Sequence, residues 1–465
     1  MSTDVRNRIP GLDRIFLFSM VMSSAAAYSV LYLFHIVVFF RTVELFGGKK
    51  YIILPRILQW DIVFFAFLLI WYTASIAWAE NKLYAIEYCG YIFLASLAVF
   101  YMVQICLDRA KLILAYRLLA ILILIEIFLS LLEGMGILRL PFSPYSPYLH
   151  YFGRVPSDLT DFSYSAMDYI GELPTGFFPN PNNLAAFLAL VMPFFLLHRT
   201  ILVKILGTSA VIYVVYMCGA RATLIACGIM IVVSAFVWGG RAMRVGALIA
   251  ILIVGVSGAG VVDSLSESSI PRLAEVGNIG VAVEGMWDSL REGRELSQDS
   301  SGARAQLILN GLDALRETKG LGVGGGGSKT VQEESVFQAG NLTSMHNFWV
   351  ELLVEGGVVV ALVFGTWYVF FLWRLWKVAR SSPDTTLRYF GRALFTGFFG
   401  FLVAAIGPSS VIYMLPMWMM VGIGLSVIRI ANVQRLPART RQQRPRSTMI
   451  QRASRPARTA GHQGI

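Results

Sequence analysis

Long runs of apolar residues dominate the chain, and polar residues collect in the shorter stretches between them. Most runs have about the 20 residues that a helix needs to cross the hydrocarbon core of a bilayer. No alternating strand pattern competes with them, so the pattern predicts an all-α polytopic membrane protein. The predicted spans are 16–40, 60–78, 85–106, 112–132, 183–197, 202–218, 222–238, 244–262, 347–375, 389–406 and 410–429.

The composition excludes an ordinary soluble protein. Hydrophobic residues make up 56% of the 465 positions and charged residues only 14%, against about 25% charged in a typical soluble domain. The four cysteines all fall within apolar runs, which offers neither a disulfide framework nor a CxxC metal site. The first run is longer than the apolar core of a signal peptide and no cleavage site follows it, so we expect no cleavable leader.

The distribution of charge assigns sides of the membrane to the loops. Basic loops are expected to be cytoplasmic, and these are 41–59, 198–204, 239–244 and 374–392. Acidic residues outnumber basic ones in 133–173 and in 263–345, which predicts that both loops are extracytoplasmic. The predicted organisation is therefore N-terminal membrane helices over 1–262, a large extracytoplasmic loop over 263–345, C-terminal membrane helices over 346–430 and a tail over 431–465.

The N-terminal side is ambiguous by this count. Counting spans back from the acidic loops puts the N-terminus outside, whereas the arginines among the first fourteen residues indicate the cytoplasm. The simplest solution is that 12–40 forms a hairpin of two short helices, broken around Ser23, Ser24 and the alanines that precede Tyr28. The number of transmembrane helices is then about eleven or twelve.

The C-terminal tail has a different composition from the rest. From Arg435 onward it holds eight arginines and no acidic residue, which predicts a disordered segment that lies on anionic lipid headgroups at the cytoplasmic face. It could be a topology anchor or an arm that binds a partner. Without those eight charges the formal charge falls from +11 to +3, so we do not expect nucleic acid as a partner.

Two candidate motifs begin predicted spans. Asn180, Asn182 and Asn183 supply amide groups at a helix N-terminus, where an anion or a sugar could bind, although a helix cap with a turn explains them as well. Arg221 lies in the tight turn Gly219-Ala-Arg-Ala-Thr223, predicted at the outer interface. A guanidinium there could bind phosphate bidentately or simply extend toward the lipid headgroups.

Two more motifs belong to the large loop and its exit. Arg304 is in the first turn of a predicted amphipathic helix, and the glycine-rich run 320–329 that follows lacks the Gly-Lys-Ser/Thr order of a phosphate loop. His346 and Asn347 then lead into a membrane helix that carries Glu351 and Glu355 on one face. His346 could act as a general base or as a helix cap.

In this order the motifs resemble the O-antigen ligase and polymerase superfamily over roughly residues 170–430, and the segment Gly407–Trp418 is most similar to the teichuronic-acid and capsule polymerase branch. The resemblance implies a GT-C-like fold in the bacterial inner membrane with an extracytoplasmic active site and neither cofactor nor metal. The donor would be an undecaprenyl-diphosphate-linked glycan, and the acceptor hydroxyl would belong to a lipid-linked repeat or a lipid A core.

The resemblance also implies roles for particular residues. Arg221 and Arg304 correspond to the arginines that neutralise the departing diphosphate, and His346 corresponds to the histidine that deprotonates or orients the acceptor. The expected substrate-binding residues are Asn180, Asn182, Asn183, Asn347 and Glu355.

Three functions follow, of which polymerisation of surface polysaccharide repeats is the leading one. An O-antigen ligase that transfers glycan to lipid A core or protein needs the same donor site. A flippase or transporter for the lipid-linked glycan would instead line the bilayer centre with polar residues. The mid-span ionisable residues are few, Glu126, Glu351 and Glu355, and no internal repeat is apparent, which disfavours transport.

Overall fold

The computed structural model describes residues 9–47, 58–157, 170–241, 244–245, 248, 300–335 and 343–435. Within these ranges the chain is helical apart from loops and a short β-hairpin, so the all-α prediction is confirmed. Most of the predicted span 244–262, the part of the large loop before residue 300 and the tail beyond residue 435 lie outside the described residues.

The helices follow the predicted apolar runs closely. They are α1 Gly11–Met22, α2 Leu33–Gly47, α3 Gln59–Ser75, α4 Lys82–Ile105, α5 Arg109–Gly134, α6 Pro181–Leu196, α7 Ile201–Met217, α8 Arg221–Val233 with a π-turn over Ser234–Trp238, α9 Ser300–Glu317, α10 Gly327–Glu334, α11 Phe348–Ser381, α12 Thr385–Ala404 and α13 Leu415–Arg435. Of the described helices, five are long and apolar enough to span a membrane, namely α4, α5, α8 with its π-turn, α11 and α13.

The N-terminal run forms two short helices, as the hairpin interpretation predicts. Helix α1 ends at Met22, a 3-10 turn covers Ser23–Ala26, and strands β1 (Ala27–Tyr28) and β2 (Leu31–Tyr32) pair before α2 begins. The backbone N–H of Ser24 donates to the carbonyl of Phe177 at 2.9 Å. The break between the two helices is thereby attached to the loop that leads into α6.

Helix α6 forms the centre of the core. Each residue from Leu184 to Leu190 is fully buried, as expected for a helix that is apolar on all sides. Helices α7 and α12 pack against it, and Gly397 of α12 lets the two backbones approach closely at Leu190. This packing fixes the N-terminus of α6, where the asparagine motif lies.

The loop predicted at 374–392 is much shorter, and Arg374 is not part of it. Helix α11 continues to Ser381 and α12 begins at Thr385. Arg374 is buried within α11 and bonds both carboxylate oxygens of Asp61 on α3, to which Trp367 Nε1 also donates at 3.0 Å. A buried charge is costly unless it is paired, and the paired carboxylate explains how an arginine fits inside the helix bundle.

Candidate functional site

The start of α11 is attached to the end of α12. The backbone N–H of Phe348 donates to the carbonyl of Ala405 at 3.1 Å, and Trp349 Nε1 donates to the carbonyl of Leu402 at 2.8 Å. These bonds hold the chain that precedes α11 beside the loop 405–414, which connects α12 to α13.

His346 faces this loop. Its Nδ1 lies 3.5 Å from the carbonyl oxygen of Gly407, and its backbone has a positive φ of 44°. Burial and the nearby guanidinium of Arg304 lower the pKa of His346 to about 4. Burial disfavours the charged imidazolium, and the guanidinium repels a second positive charge. At neutral pH the imidazole is therefore uncharged. A proton on Nδ1 directed at Gly407 leaves Nε2 with a free lone pair.

Gly407 is also where the other candidate motifs meet. A Cβ built on Gly407 would lie 3.8 Å from Asn182 Oδ1 and 3.9 Å from Thr223 Oγ1. Thr223 is in the first turn of α8, two residues after Arg221. The asparagine motif, the arginine turn and the histidine are distant in sequence, and the fold brings them together at Gly407. Arg304 of α9 is close enough to His346 to act on its charge.

Some buried polar atoms of this region lack protein partners. Within the described residues, Asn183 Oδ1 and Thr223 Oγ1 are buried and make no hydrogen bond, although Asn183 Nδ2 approaches the Ser410 carbonyl at 3.4 Å. Buried polar atoms are nearly always paired in folded proteins. The two oxygens are therefore available as hydrogen-bond acceptors to a ligand or to water.

Two predicted site residues have capping bonds. Asn180 caps α6, where its side chain accepts from the N–H of Asn182 at 2.8 Å. Asn347 caps α11, where its side chain accepts from the N–H groups of Trp349 at 3.1 Å and Val350 at 3.3 Å. The helix-cap interpretation of Asn180 is confirmed, whereas the cap of α11 is Asn347 and not His346. A role of either asparagine in substrate binding stays a prediction.

Glu355 lies in a different cluster, more than two turns along α11 from His346. It is fully buried and accepts a hydrogen bond of 2.6 Å from Ser328, while the neighbouring Glu351 accepts one of 3.1 Å from Tyr88.

Among the described residues no three His, Cys, Asp or Glu side chains form a group that could hold a metal ion.

The glycine-rich run 320–329 lies beside Glu355 and forms hydrogen bonds at a break in α11. Gly357 has a φ of +74° inside the helix, so the helical hydrogen bonds are interrupted there. The N–H groups of Val323 and Gly324 donate to the carbonyls of Val354 and Glu355 at 2.9 and 3.0 Å. The run thus supplies hydrogen-bond donors to carbonyl groups that lose their helical partners at the break. Nothing in the sequence indicated this pairing.

Two buried carboxylates hold the loop before the asparagine motif. Glu133 of α5 accepts from the N–H groups of Thr175 and Gly176 at 2.7 and 2.9 Å, and Glu126 accepts from that of Phe177 at 3.0 Å. These positioning residues escaped prediction as part of the site. The available signal was Glu126 itself, the one acidic residue in the predicted span 112–132.

Comparisons with known proteins agree with the resemblance. Residues 184–365 match the family model described as O-antigen ligase, a range that contains Arg221, Arg304 and His346. The teichuronic acid biosynthesis protein TuaE of Bacillus subtilis (strain 168) is 23% identical over 385 residues, which covers 80% of this chain and 72% of the relative. With the apolar helical framework of a multi-pass membrane protein, these matches support the similarity of the chain to the O-antigen ligase and polymerase superfamily.

Proposed function

We propose that the protein transfers a glycan from an undecaprenyl-diphosphate carrier to a sugar hydroxyl, and that it thereby polymerises surface polysaccharide repeats at the outer face of the bacterial plasma membrane. The observation that carries this proposal is the convergence at Gly407. A neutral histidine, a cation that acts on it electrostatically and polar groups from two other segments lie around one turn.

The proposed reaction is an inverting displacement without metal. The acceptor oxygen attacks the anomeric carbon, the bond from that carbon to the diphosphate oxygen breaks, and the acceptor proton goes to His346 Nε2. The lipid diphosphate leaves as an anion, which Arg221 and Arg304 stabilise. Cations and donors fixed where charge develops contribute the largest share of catalysis in many enzymes.

Two arginine variants test the donor site. We expect R221A and R304A to lose transfer activity by about 100-fold or more, because a missing preorganised group costs that much at comparable sites. Both proteins should still reach the membrane. R316A is the matched control, since Arg316 lies on the same helix as Arg304 and is exposed. Normal polymer from either site variant would remove that arginine from the site.

A histidine variant tests the proton acceptor. If His346 is the base, H346A should lower the turnover rate by about 100- to 10,000-fold with little change in donor binding. Retained transfer by H346A, with the activity profile moved to alkaline pH, would assign His346 to orienting the acceptor instead.

Ligation is the second candidate, because the matching family model is described as O-antigen ligase. The two reactions share the donor and differ in the acceptor. Purified protein incubated with a lipid-linked repeat alone separates them. Chain lengthening without another acceptor supports polymerisation, whereas product that forms only after a second acceptor is added supports ligation.

A further inference from the structure

A large cavity adjoins the site and shares part of its wall. Its volume is about 600 Å³, and it lies between the N-terminal hairpin, α4, the start of α6 and the loop 405–414. Volumes of this size are typical of sites for small molecules. The transfer proposed above uses only the region around Gly407 and leaves this cavity without a role.

The polar side chains of the cavity suit an uncharged ligand with hydroxyl groups. Glu87 and Tyr91 of α4 line it together with Tyr413, and the rings of Tyr91 and Tyr413 are 5.6 Å apart between centroids. Aromatic rings bind the apolar faces of sugar rings, and carboxylates accept strong hydrogen bonds from hydroxyl groups.

The charges disfavour a diphosphate here. No lysine or arginine is among the described residues that line the cavity, and Glu87 would repel an anion. Lys329 approaches Glu87 from outside the lining, at 3.9 Å. Arg154 lines a smaller neighbouring cavity and donates to the Ser24 carbonyl at 2.8 Å.

The cavity wall continues into the proposed catalytic region. Asn183 lines the cavity and approaches the Ser410 carbonyl at 3.4 Å, and the Tyr413 hydroxyl is 2.9 Å from Ser409 Oγ. The carbonyl of Ser409 in turn accepts a bond from Ser344, two residues before His346. A ligand in the cavity therefore contacts the same loop that faces the histidine.

We infer that this cavity binds the acceptor saccharide, with Tyr91 and Tyr413 as the stacking surface and Glu87 as the acceptor of hydroxyl hydrogen bonds. The inference rests on the proposed glycan transfer. It divides the site into a cationic donor side, formed by Arg221 and Arg304, and an aromatic and acidic acceptor side.

Two probes distinguish the donor side from the acceptor side in binding measurements on the reconstituted full-length protein. The first is the phosphate-free saccharide that mild acid releases from the lipid-linked repeat of the source cells, titrated by ligand-observed NMR. The second is undecaprenyl diphosphate without sugar. We expect E87Q and Y91A to weaken saccharide binding by about threefold to tenfold or more, the range for one lost hydrogen bond or stacking contact, and to leave undecaprenyl diphosphate binding unchanged.

Matched variants make the result specific. Y91F keeps the ring and removes the hydroxyl that donates to Glu87, which leaves that carboxylate oxygen open to the ligand, so Y91F should bind the saccharide nearly as the wild type does. E80Q removes an exposed carboxylate that does not line the cavity. Unchanged diphosphate binding also shows that E87Q and Y91A are folded. Wild-type saccharide affinity in both, or no saccharide binding by the wild type, overturns the acceptor assignment. Unaltered diphosphate binding and transfer in R221A and R304A would instead overturn the proposed function.

Discussion

The acid–base chemistry of His346 is set by its surroundings. A histidine in water has a pKa near 6.5, and here burial and the charge of Arg304 lower the pKa to about 4. The group is thus unprotonated at neutral pH and can accept a proton. A bound diphosphate would offset the charge of Arg304 and raise the basicity of His346 at the moment a proton must be taken up.

This coupling predicts the effect of removing one charge. In R304Q the pKa of His346 should rise from about 4 toward 6.5, because the nearby cation that disfavours protonation is gone. The measurement is NMR of protein with ¹³C-labelled histidine, in which the H346Q spectrum assigns the signal. R316Q should leave the titration unchanged. An unaltered midpoint in R304Q would show that burial alone sets the pKa.

At the scale of elements, α11 depends on a partner segment that is distant in the chain. Gly357 interrupts the helix, and a Cβ at this position would overlap the Leu321 carbonyl. The glycine-rich run is in contact with the break, and Val358 N–H donates to the Gly320 carbonyl at 3.0 Å. The break and the run form one structural unit.

A pair of alanine substitutions in the same helix tests this unit. G357A should destabilise the protein by about 2 kcal/mol or more, because it combines a positive φ with a backbone clash. G365A is the control, since a Cβ there meets nothing within 4 Å, and it should stabilise α11 by up to about 1 kcal/mol. Thermal unfolding in detergent measures both. Equal stability of the two variants would contradict the structural role of the break.

The same elements show what the sequence could and could not predict. Apolar length predicted the helices, and the local motifs marked Arg221, Arg304 and His346, because span length and unusual polar residues are local signals. Pairings across the fold left no such signal. Three such pairings join segments that are distant in sequence: the backbone bonds of the glycine-rich run to α11, the ion pair of Asp61 with Arg374, and the hydrogen bonds of Glu133 to the loop before α6.

At the scale of the whole molecule, we predict that the short N-terminal helices decide on which side of the membrane the chain begins. Helix α1 has 12 residues, about 18 Å at 1.5 Å per residue, against a hydrocarbon core of about 30 Å. We therefore predict that α1 and α2 form one hairpin that enters the bilayer and returns to its starting side, with local thinning of the bilayer to match the short helices. Such a hairpin would place the arginines of the N-terminus on the same side as the basic loops that are predicted to be cytoplasmic.

Cysteine labelling tests this arrangement. We expect a membrane-impermeant maleimide to label V30C from outside intact cells, because Val30 is 82% exposed at the turn of the hairpin. Cysteines at residues 2 and 460 should react only after permeabilisation, since both ends are predicted to be cytoplasmic. The unmodified chain is the control for its own cysteines, three of which are buried. Labelling of residue 2 from outside would mean that the N-terminal segment crosses the bilayer once and would reject the returning hairpin.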